Sequence, residues 1–179
     1  MIPYFQRFMA AYPSVEALAA CDEGQLMKLW EGLGYYSRAR NLQKAARIVT
    51  EDYAGAFPAD YKELIALPGI GDYTAGAILS IAFGEPVPAV DGNVLRVAAR
   101  VTGDEGDIAA PATKKRVTAA LAEIIPLDAP GDFNQAMMEL GATVCLPNGA
   151  PLCQQCPAEA FCQARKQGRT KDLPVRPAK

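Results

Sequence analysis

The feature of this 179-residue chain that most constrains its structure is a group of four closely spaced cysteines near the C-terminus. Their spacing is C-x7-C-x2-C-x5-C, formed by Cys145, Cys153, Cys156 and Cys162. Prolines and turn-forming residues fill the first gap, as expected for a loop folded around an inorganic group. Four thiolates at this spacing are typical ligands of a [4Fe-4S] cluster. We therefore predict an iron–sulfur site.

Structural zinc is the main alternative, because thiolates bind zinc as well as iron. Zinc ribbons usually carry two C-x2-C pairs separated by a longer insert, whereas this group contains one pair. Disulfides fit less well, since the N-terminus has no signal-peptide pattern and we expect a cytoplasmic, bacterial protein. Cys21, the fifth cysteine, is expected to be an ordinary thiol.

Composition and charge exclude some classes of function. Half of the residues are hydrophobic, so the chain can bury a core, yet no apolar run is long enough for a membrane span. The formal net charge is −2, but the segment 165–179 carries +5 and the preceding residues −7. Contacts between the acidic body and DNA phosphates would therefore rely on backbone amides and helix N-termini.

Apolar residues recur at helical spacing through most of the chain, which predicts an all-α protein. Helix starts are expected at Ser14, Asp22, Ser37 and Asp132, because these residue types cap helices. Two prolines interrupt the pattern at residues 85–88. We therefore expect a helical domain over 1–85, a cysteine-cluster domain over 86–165 and a basic tail over 166–179.

A glycine-rich turn joins two of the predicted helices, in the sequence Leu67-Pro68-Gly69-Ile70-Gly71-Asp72-Tyr73-Thr74-Ala75. Gly69 and Gly71 allow a ligand to approach the backbone closely. Because the following helix offers free N–H groups at its start, we expect this turn to bind an anion. Taken alone, such a turn more often indicates a plain corner between helices.

A second motif, Val90-Asp91-Gly92-Asn93-Val94, lies directly before another predicted helix. Asp91 stands at the N-cap position, where a carboxylate commonly caps the helix. A negative charge is favourable at a helix start, and a carboxylate held there could also stabilise a cationic sugar. The two roles are compatible.

Together these motifs resemble the helix-hairpin-helix DNA glycosylases, and most closely the MutY-type adenine glycosylases. The segment from Trp30 to Leu42 (WEGLGYYSRARNL), the hairpin with Tyr73, and Asp91-Gly92-Asn93 are the most specific parts of the match. The resemblance implies a helical barrel domain and a [4Fe-4S] cluster domain with the active-site cleft between them. It also implies a monomer that binds double-stranded DNA and removes adenine opposite 8-oxoguanine or guanine.

The resemblance assigns a role to each candidate residue. Asp91 would stabilise the oxocarbenium-like sugar, Asn93 would position a neighbouring group or water, and Tyr73 would line the pocket. Tyr35 would insert into the base stack, because chemistry on a base requires its removal from the duplex. The hairpin residues Gly69, Ile70 and Gly71 would contact phosphates, and Cys145, Cys153, Cys156 and Cys162 would hold the cluster.

Other functions remain open at this point. Endonuclease III-type enzymes resemble this chain but carry a Schiff-base lysine at the position of Tyr73, and a lyase mechanism needs that amine. A DNA-binding iron–sulfur module without catalysis is the second class, and an electron carrier, which would need neither the hairpin nor Asp91, is the third.

The chain departs from the family pattern in three ways. The first cysteine gap has seven residues where the family usually has six. The family's general-acid glutamate lies on a helix that would precede Met1, and its lesion-recognition domain would follow Lys179. Because general acid catalysis contributes roughly 10²–10⁴-fold, we expect these 179 residues alone to release adenine slowly.

Overall fold

The computed structural model describes residues 2–176, which contain helices and no strand, so the all-α prediction is confirmed. No helix among these residues is both long and apolar enough to cross a membrane. The α-helices are α1 Ile2–Ala11, α2 Val15–Ala20, α3 Glu23–Leu29, α4 Ser37–Asp52, α5 Tyr61–Ala66, α6 Asp72–Ala82, α7 Gly92–Thr102, α8 Pro111–Ile124, α9 Pro130–Thr143 and α10 Gln163–Lys166. Two short 3-10 turns, Cys153–Gln155 and Glu159–Phe161, lie in the cysteine loop.

Side-chain caps set the starts of several helices. Ser14 accepts a hydrogen bond from the amide of Ala17 at 3.3 Å, and Asp22 accepts one from the amide of Gln25 at 3.0 Å. Both residues were predicted as helix starts, and both predictions are confirmed. Each cap satisfies a backbone N–H that has no partner inside the helix.

Two other predicted starts need correction. Helix α4 does run from Ser37 to Asp52, but Ser37 is its first helical residue and Tyr36 is the cap, without a side-chain hydrogen bond. Helix α9 begins at Pro130, not after Asp132. Proline is favoured at the first helical position because its φ angle is already helical and it has no N–H to satisfy.

The chain divides into two compact units, one up to Gly71 and one from Asp72 onward. In the first unit, α2 packs along α4, and the side chains of Leu18, Leu26, Ala39 and Ala46 form its buried cluster. The small residues of α4 face inward, so two helices can pack closely there. The proposed division at residue 85 stays a prediction.

In the second unit, α7 is the central helix. It packs against α8, α9 and α10, and six of its eleven residues are buried. The apolar face of α7 packs against residues of α8 and against the residue that precedes Asp91. The buried cluster there is formed by Val90, Val94, Leu95, Val117 and Leu121. This packing fixes the start of α7, which is the end that carries Asp91.

Two glycines permit unusually close packing in this unit. A Cβ atom on Gly141 of α9 would lie 2.5 Å from the Cβ and 3.0 Å from the Cα of Asn93. A Cβ atom on Gly76 of α6 would lie 2.4 Å from the carbonyl oxygen of Pro88. Since van der Waals contacts begin well beyond these distances, neither position can hold a larger side chain without moving backbone atoms.

Gly141→Ala is therefore expected to destabilise the chain, although alanine is the better helix former. Overpacking of this kind costs about 1–3 kcal/mol, which outweighs the roughly 1 kcal/mol gained in helix propensity. Urea unfolding followed by circular dichroism measures the change in the free energy of unfolding.

Gly92→Ala is the matched control, because a Cβ atom there meets nothing within 4 Å. It should leave the stability unchanged or raise it by up to about 1 kcal/mol. Equal effects of the two substitutions would contradict the close approach of α9 to Asn93.

Candidate active site

Asp91 caps α7 with one carboxylate oxygen and receives a second hydrogen bond on the other. Its Oδ1 accepts from the amide of Val94 at 2.8 Å, and its Oδ2 accepts from the side-chain Nδ2 of Asn93 at 2.8 Å. The predicted N-cap is thus present in the structure. Because both oxygens are held, the half-buried carboxylate has a fixed orientation.

The Asn93 amide is itself oriented by Arg96. The Nη2 of Arg96 donates to the Oδ1 of Asn93 at 2.8 Å and to the carbonyl of Gly141 at 2.7 Å, while its Nε donates to the carbonyl of Cys145 at 2.8 Å. An amide whose oxygen accepts from a guanidinium must present its NH2 group elsewhere, here to Asp91. Arg96 therefore links the start of α7 to the beginning of the cysteine loop.

Arg96 is 4% exposed, so its charge is buried. Burial lowers the pKa of Arg96 from its ordinary value, and the charge of Arg100 lowers it further, whereas Cys145 and Asp91 act in the opposite direction. Arginine nevertheless remains protonated in proteins, and three carbonyl or amide oxygens compensate the charge at 2.7–2.8 Å.

Asn134 of α9 holds the segment that leads into Asp91. Its Oδ1 accepts from the amide of Ala89 at 3.0 Å, and its Nδ2 donates to the hydroxyl of Ser80 at 2.8 Å and to the carbonyl of Val87 at 2.9 Å. Asn134 is 2% exposed. Since its three hydrogen bonds are satisfied inside the protein, the segment before the catalytic candidate has little freedom to move.

Tyr73, near the start of α6, lies within electrostatic range of Asp91. Burial raises the pKa of the Tyr73 hydroxyl above its ordinary value, and the negative charge of Asp91 raises it further. The hydroxyl is thus protonated at neutral pH, and its oxygen lies 3.2 Å from the sulfur of Met138. The residue is 38% exposed, so its ring is accessible from solvent.

The turn before α6 exposes backbone, as its sequence predicted. Gly69 has φ +83°, which favours glycine, and a Cβ atom there would lie 2.9 Å from the Cβ of Asn41. Gly71 is exposed, and a Cβ atom added to it would meet nothing within 4 Å, while Ile70 is half-buried. The turn therefore offers main-chain groups at the surface, which is what an anion contact without basic side chains requires.

Tyr35, the residue predicted to insert into the base stack, and its neighbour Tyr36 differ in their exposure. Tyr35 is 80% exposed and Tyr36 is 42% exposed. Tyr35 also has φ +48°, an uncommon conformation for a residue other than glycine. Core packing therefore does not account for Tyr35, which projects from the first unit.

The four cysteines line one pocket in the second unit, together with Arg100 and Arg165. None of them forms a disulfide, and Cys21 is also a free, half-buried thiol. Arg100 donates to the sulfur of Cys145 at 3.3 Å and to the carbonyl of Leu146 at 2.9 Å. Burial raises the pKa of the Cys153 thiol, while Arg165 acts against that shift.

The arrangement of these sulfurs bears on the choice of metal. Within residues 2–176, no three His, Cys, Asp or Glu side chains are placed to hold a single metal ion. The four thiols line one pocket, and thiolates are ligands both of zinc and of iron–sulfur clusters, so the donor set fits either group.

Sequence reasoning missed three residues that build this site: Arg96, Asn134 and Gly141. Gly141 left a detectable signal, because glycine inside a helical pattern often marks a close approach. Arg96 and Asn134 left none, since an arginine or asparagine on a helix is usually exposed. Their burial depends on contacts with residues about 45 positions away.

An all-α chain with a glycine hairpin turn, a fixed carboxylate at a helix start and a four-cysteine loop defines a class, that of the helix-hairpin-helix DNA repair proteins. Residues 1–127 match the family described as "HhH-GPD superfamily base excision DNA repair protein". The chain belongs to this superfamily.

Curated relatives agree with this placement. The chain is 44% identical over 174 residues to the adenine DNA glycosylase of Homo sapiens, covering 97% of this chain and 32% of that protein. It is 37% identical over 175 residues to the adenine DNA glycosylase of Buchnera aphidicola subsp. Acyrthosiphon pisum, covering 98% and 50%. The chain thus spans about a third to a half of the length of these relatives, which come from animals as well as bacteria.

Solved structures show the same fold. A thermostable thymine-DNA glycosylase matches with a TM-score of 0.82 at 28% identity, covering 92% of this chain and 76% of that one. A non-covalent endonuclease III–DNA complex matches with a TM-score of 0.77 at 29% identity, covering 93% and 76%. The predicted helix-hairpin-helix glycosylase fold is confirmed.

Proposed function

We propose that this chain is the core of a DNA glycosylase that hydrolyses the N-glycosidic bond of adenine opposite 8-oxoguanine or guanine. The observation that carries the proposal is the Asp91 carboxylate, fixed by Val94 and Asn93 within electrostatic range of the Tyr73 hydroxyl. Support for adenine comes from relatives named adenine DNA glycosylase. Double-stranded DNA is the proposed partner, bound by a monomer that resides with the DNA in the cytoplasm.

Asp91 stabilises the positive charge that develops on the sugar as the bond to adenine breaks. A carboxylate serves this role best when its orientation is set before the reaction, because no reorganisation is then needed in the transition state. Asn93 holds the Oδ2 atom of Asp91, and Tyr73 closes the pocket with a neutral hydroxyl. A water molecule then adds its hydroxyl group to the sugar carbon, and its proton balances the one that the departing adenine takes up on the ring nitrogen of the broken bond.

The first unit and the hairpin turn supply the DNA contacts. The main-chain groups of Gly69, Ile70 and Gly71 bind backbone phosphates, and the exposed ring of Tyr35 inserts beside the target pair. Phosphate contacts position the duplex, and an inserted ring helps to expel a base from the stack. This arrangement needs few basic side chains, consistent with the net charge of −2.

Cys145, Cys153, Cys156 and Cys162 are the proposed ligands of a [4Fe-4S] cluster. These four thiols line one pocket, and the neighbouring Arg100 and Arg165 would offset the negative charge of bound thiolates. When bound, the cluster supplies cross-links that hold the loop together. The chain's own Arg96 and Arg100 hold the first part of that loop through the carbonyls of Cys145 and Leu146.

The cluster proposal is tested by metal analysis of the anaerobically purified chain. We expect four irons and four acid-labile sulfides per chain, with broad visible absorption. Cys156→Ser should lower both contents, because one ligand is lost, whereas Cys21→Ser is the matched control and should retain them. One zinc per chain without iron would instead support the zinc alternative.

Asp91→Asn tests the catalytic proposal. In single-turnover assays with excess protein and an adenine:8-oxoguanine duplex, the wild-type chain should release adenine slowly. The variant should release it at least about 10²-fold more slowly, because electrostatic stabilisation of the transition state is lost. Duplex affinity should change by less than about threefold, since the carboxylate binds the transition state more than the ground state.

The controls separate the alternatives. An unchanged rate of adenine release in Asp91→Asn would refute the catalytic role. No release by either chain, with duplex binding retained, would favour the non-catalytic DNA-binding module. Trapping of a covalent DNA adduct with borohydride would favour the endonuclease III-like lyase, although Tyr73 provides no amine for a Schiff base.

A further inference from the structure

The loop that carries Tyr35 is held in one conformation by local contacts. Gly32 and Gly34 both have positive φ angles, +88° and +66°, and Tyr35 follows with φ +48°. The indole N–H of Trp30 donates to the carbonyl of Gly34 at 3.1 Å. A non-glycine residue at positive φ costs free energy, and such conformations are concentrated where function requires them.

Arg38, at the second position of α4, lies between two aromatic rings of this loop. Its guanidinium carbon is 5.4 Å from the centroid of the Tyr35 ring and 5.8 Å from that of Trp30. Its amide also donates to the carbonyl of Tyr35 at 2.9 Å. Both ring distances fall within the range of cation–π attraction, which is about 6 Å.

Among the residues that the structure describes, Arg38 takes part in no ion pair. No carboxylate in residues 2–176 lies within ion-pair distance of its guanidinium, whereas the neighbouring Arg40 pairs with Glu23 at 2.9 Å. An unpaired guanidinium favours aromatic faces, because it is planar and weakly hydrated. The contacts of Arg38 are therefore directed to the rings.

An exposed ring that must enter a base stack loses rotational freedom on binding, and this ordering costs part of the binding free energy. A ring already held in one orientation avoids part of this cost. We propose that Arg38 is a positioning residue, which holds the Tyr35 ring against the guanidinium, with Trp30 behind it, in the orientation for insertion into DNA. This inference rests on the insertion role proposed above for Tyr35.

The first arm of the test uses the free protein. Trp30 is the single tryptophan of the chain, so the emission reports on the surroundings of one indole ring, which the guanidinium of Arg38 contacts. Arg38→Gln should shift the emission and increase its quenching by acrylamide, and Arg38→Lys should have a smaller effect because the charge remains. Arg40→Gln removes a charge from the same helix and should leave the emission unchanged. No difference between Arg38→Gln and the wild type would overturn the proposal.

The second arm measures duplex binding and base unstacking with 2-aminopurine beside an adenine:8-oxoguanine pair. Arg38→Gln should weaken binding about two- to fivefold, the size of an exposed cation–π contact, and reduce the fluorescence rise. In a Tyr35→Ala background, the same substitution should have no further effect. Equal losses in both backgrounds would show that Arg38 contacts DNA on its own and would overturn the positioning role.

The two proposals can fail separately. If Tyr35→Ala leaves both affinity and unstacking unchanged, the insertion role of Tyr35 is wrong, while the tryptophan emission still decides whether Arg38 orders the ring. If Tyr35→Ala impairs unstacking and Arg38→Gln does not, the insertion role stands and the positioning role is wrong.

Discussion

The contact between α7 and α9 at Asn93 and Gly141 is the constraint on which the candidate site depends. Because Gly141 has no side chain, the backbone of α9 lies against Asn93, and its carbonyl reaches the guanidinium of Arg96. Arg96 then has acceptors on three segments, which are α7, α9 and the cysteine loop. A buried charge is tolerated only when it is compensated in this way, so the three segments are held together.

This arrangement explains how a helical protein can orient the carboxylate proposed to be catalytic without a rigid sheet. The Asp91 carboxylate is fixed by its own helix and by Asn93, and Asn93 is fixed by Arg96. The preceding segment is fixed by the buried Asn134. Each step is a hydrogen bond with a defined partner, and paired groups in a polar network add rigidity. The guanidinium of Arg96 also contacts the cysteine loop. Arg96 therefore supports both the cysteine loop and the Asp91 carboxylate.

Local signals in the sequence predicted much of the fold. Hydrophobic periodicity identified the all-α class, and capping residues located the starts at Ser14, Asp22 and Asp91, because these depend on neighbours three residues away. The start of α9 was misplaced, since the proline signal at Pro130 competed with an acidic cap two residues later. The motifs also identified Asp91, Asn93 and Tyr73 as candidates. The buried roles of Arg96 and Asn134 depend on partners distant in sequence, and no local pattern reports them.

The central claim is that Asp91 is oriented to stabilise positive charge on the sugar, and binding to a charged sugar analogue tests it most directly. Two duplexes would be compared, each with 8-oxoguanine opposite an abasic analogue, one a cationic pyrrolidine and the other a neutral tetrahydrofuran. Transition-state analogues typically bind about 10²-fold more tightly or better. We predict that the chain prefers the cationic duplex by at least about tenfold and that Asp91→Asn removes this preference. Equal affinity of the wild-type chain for the two duplexes would contradict the account.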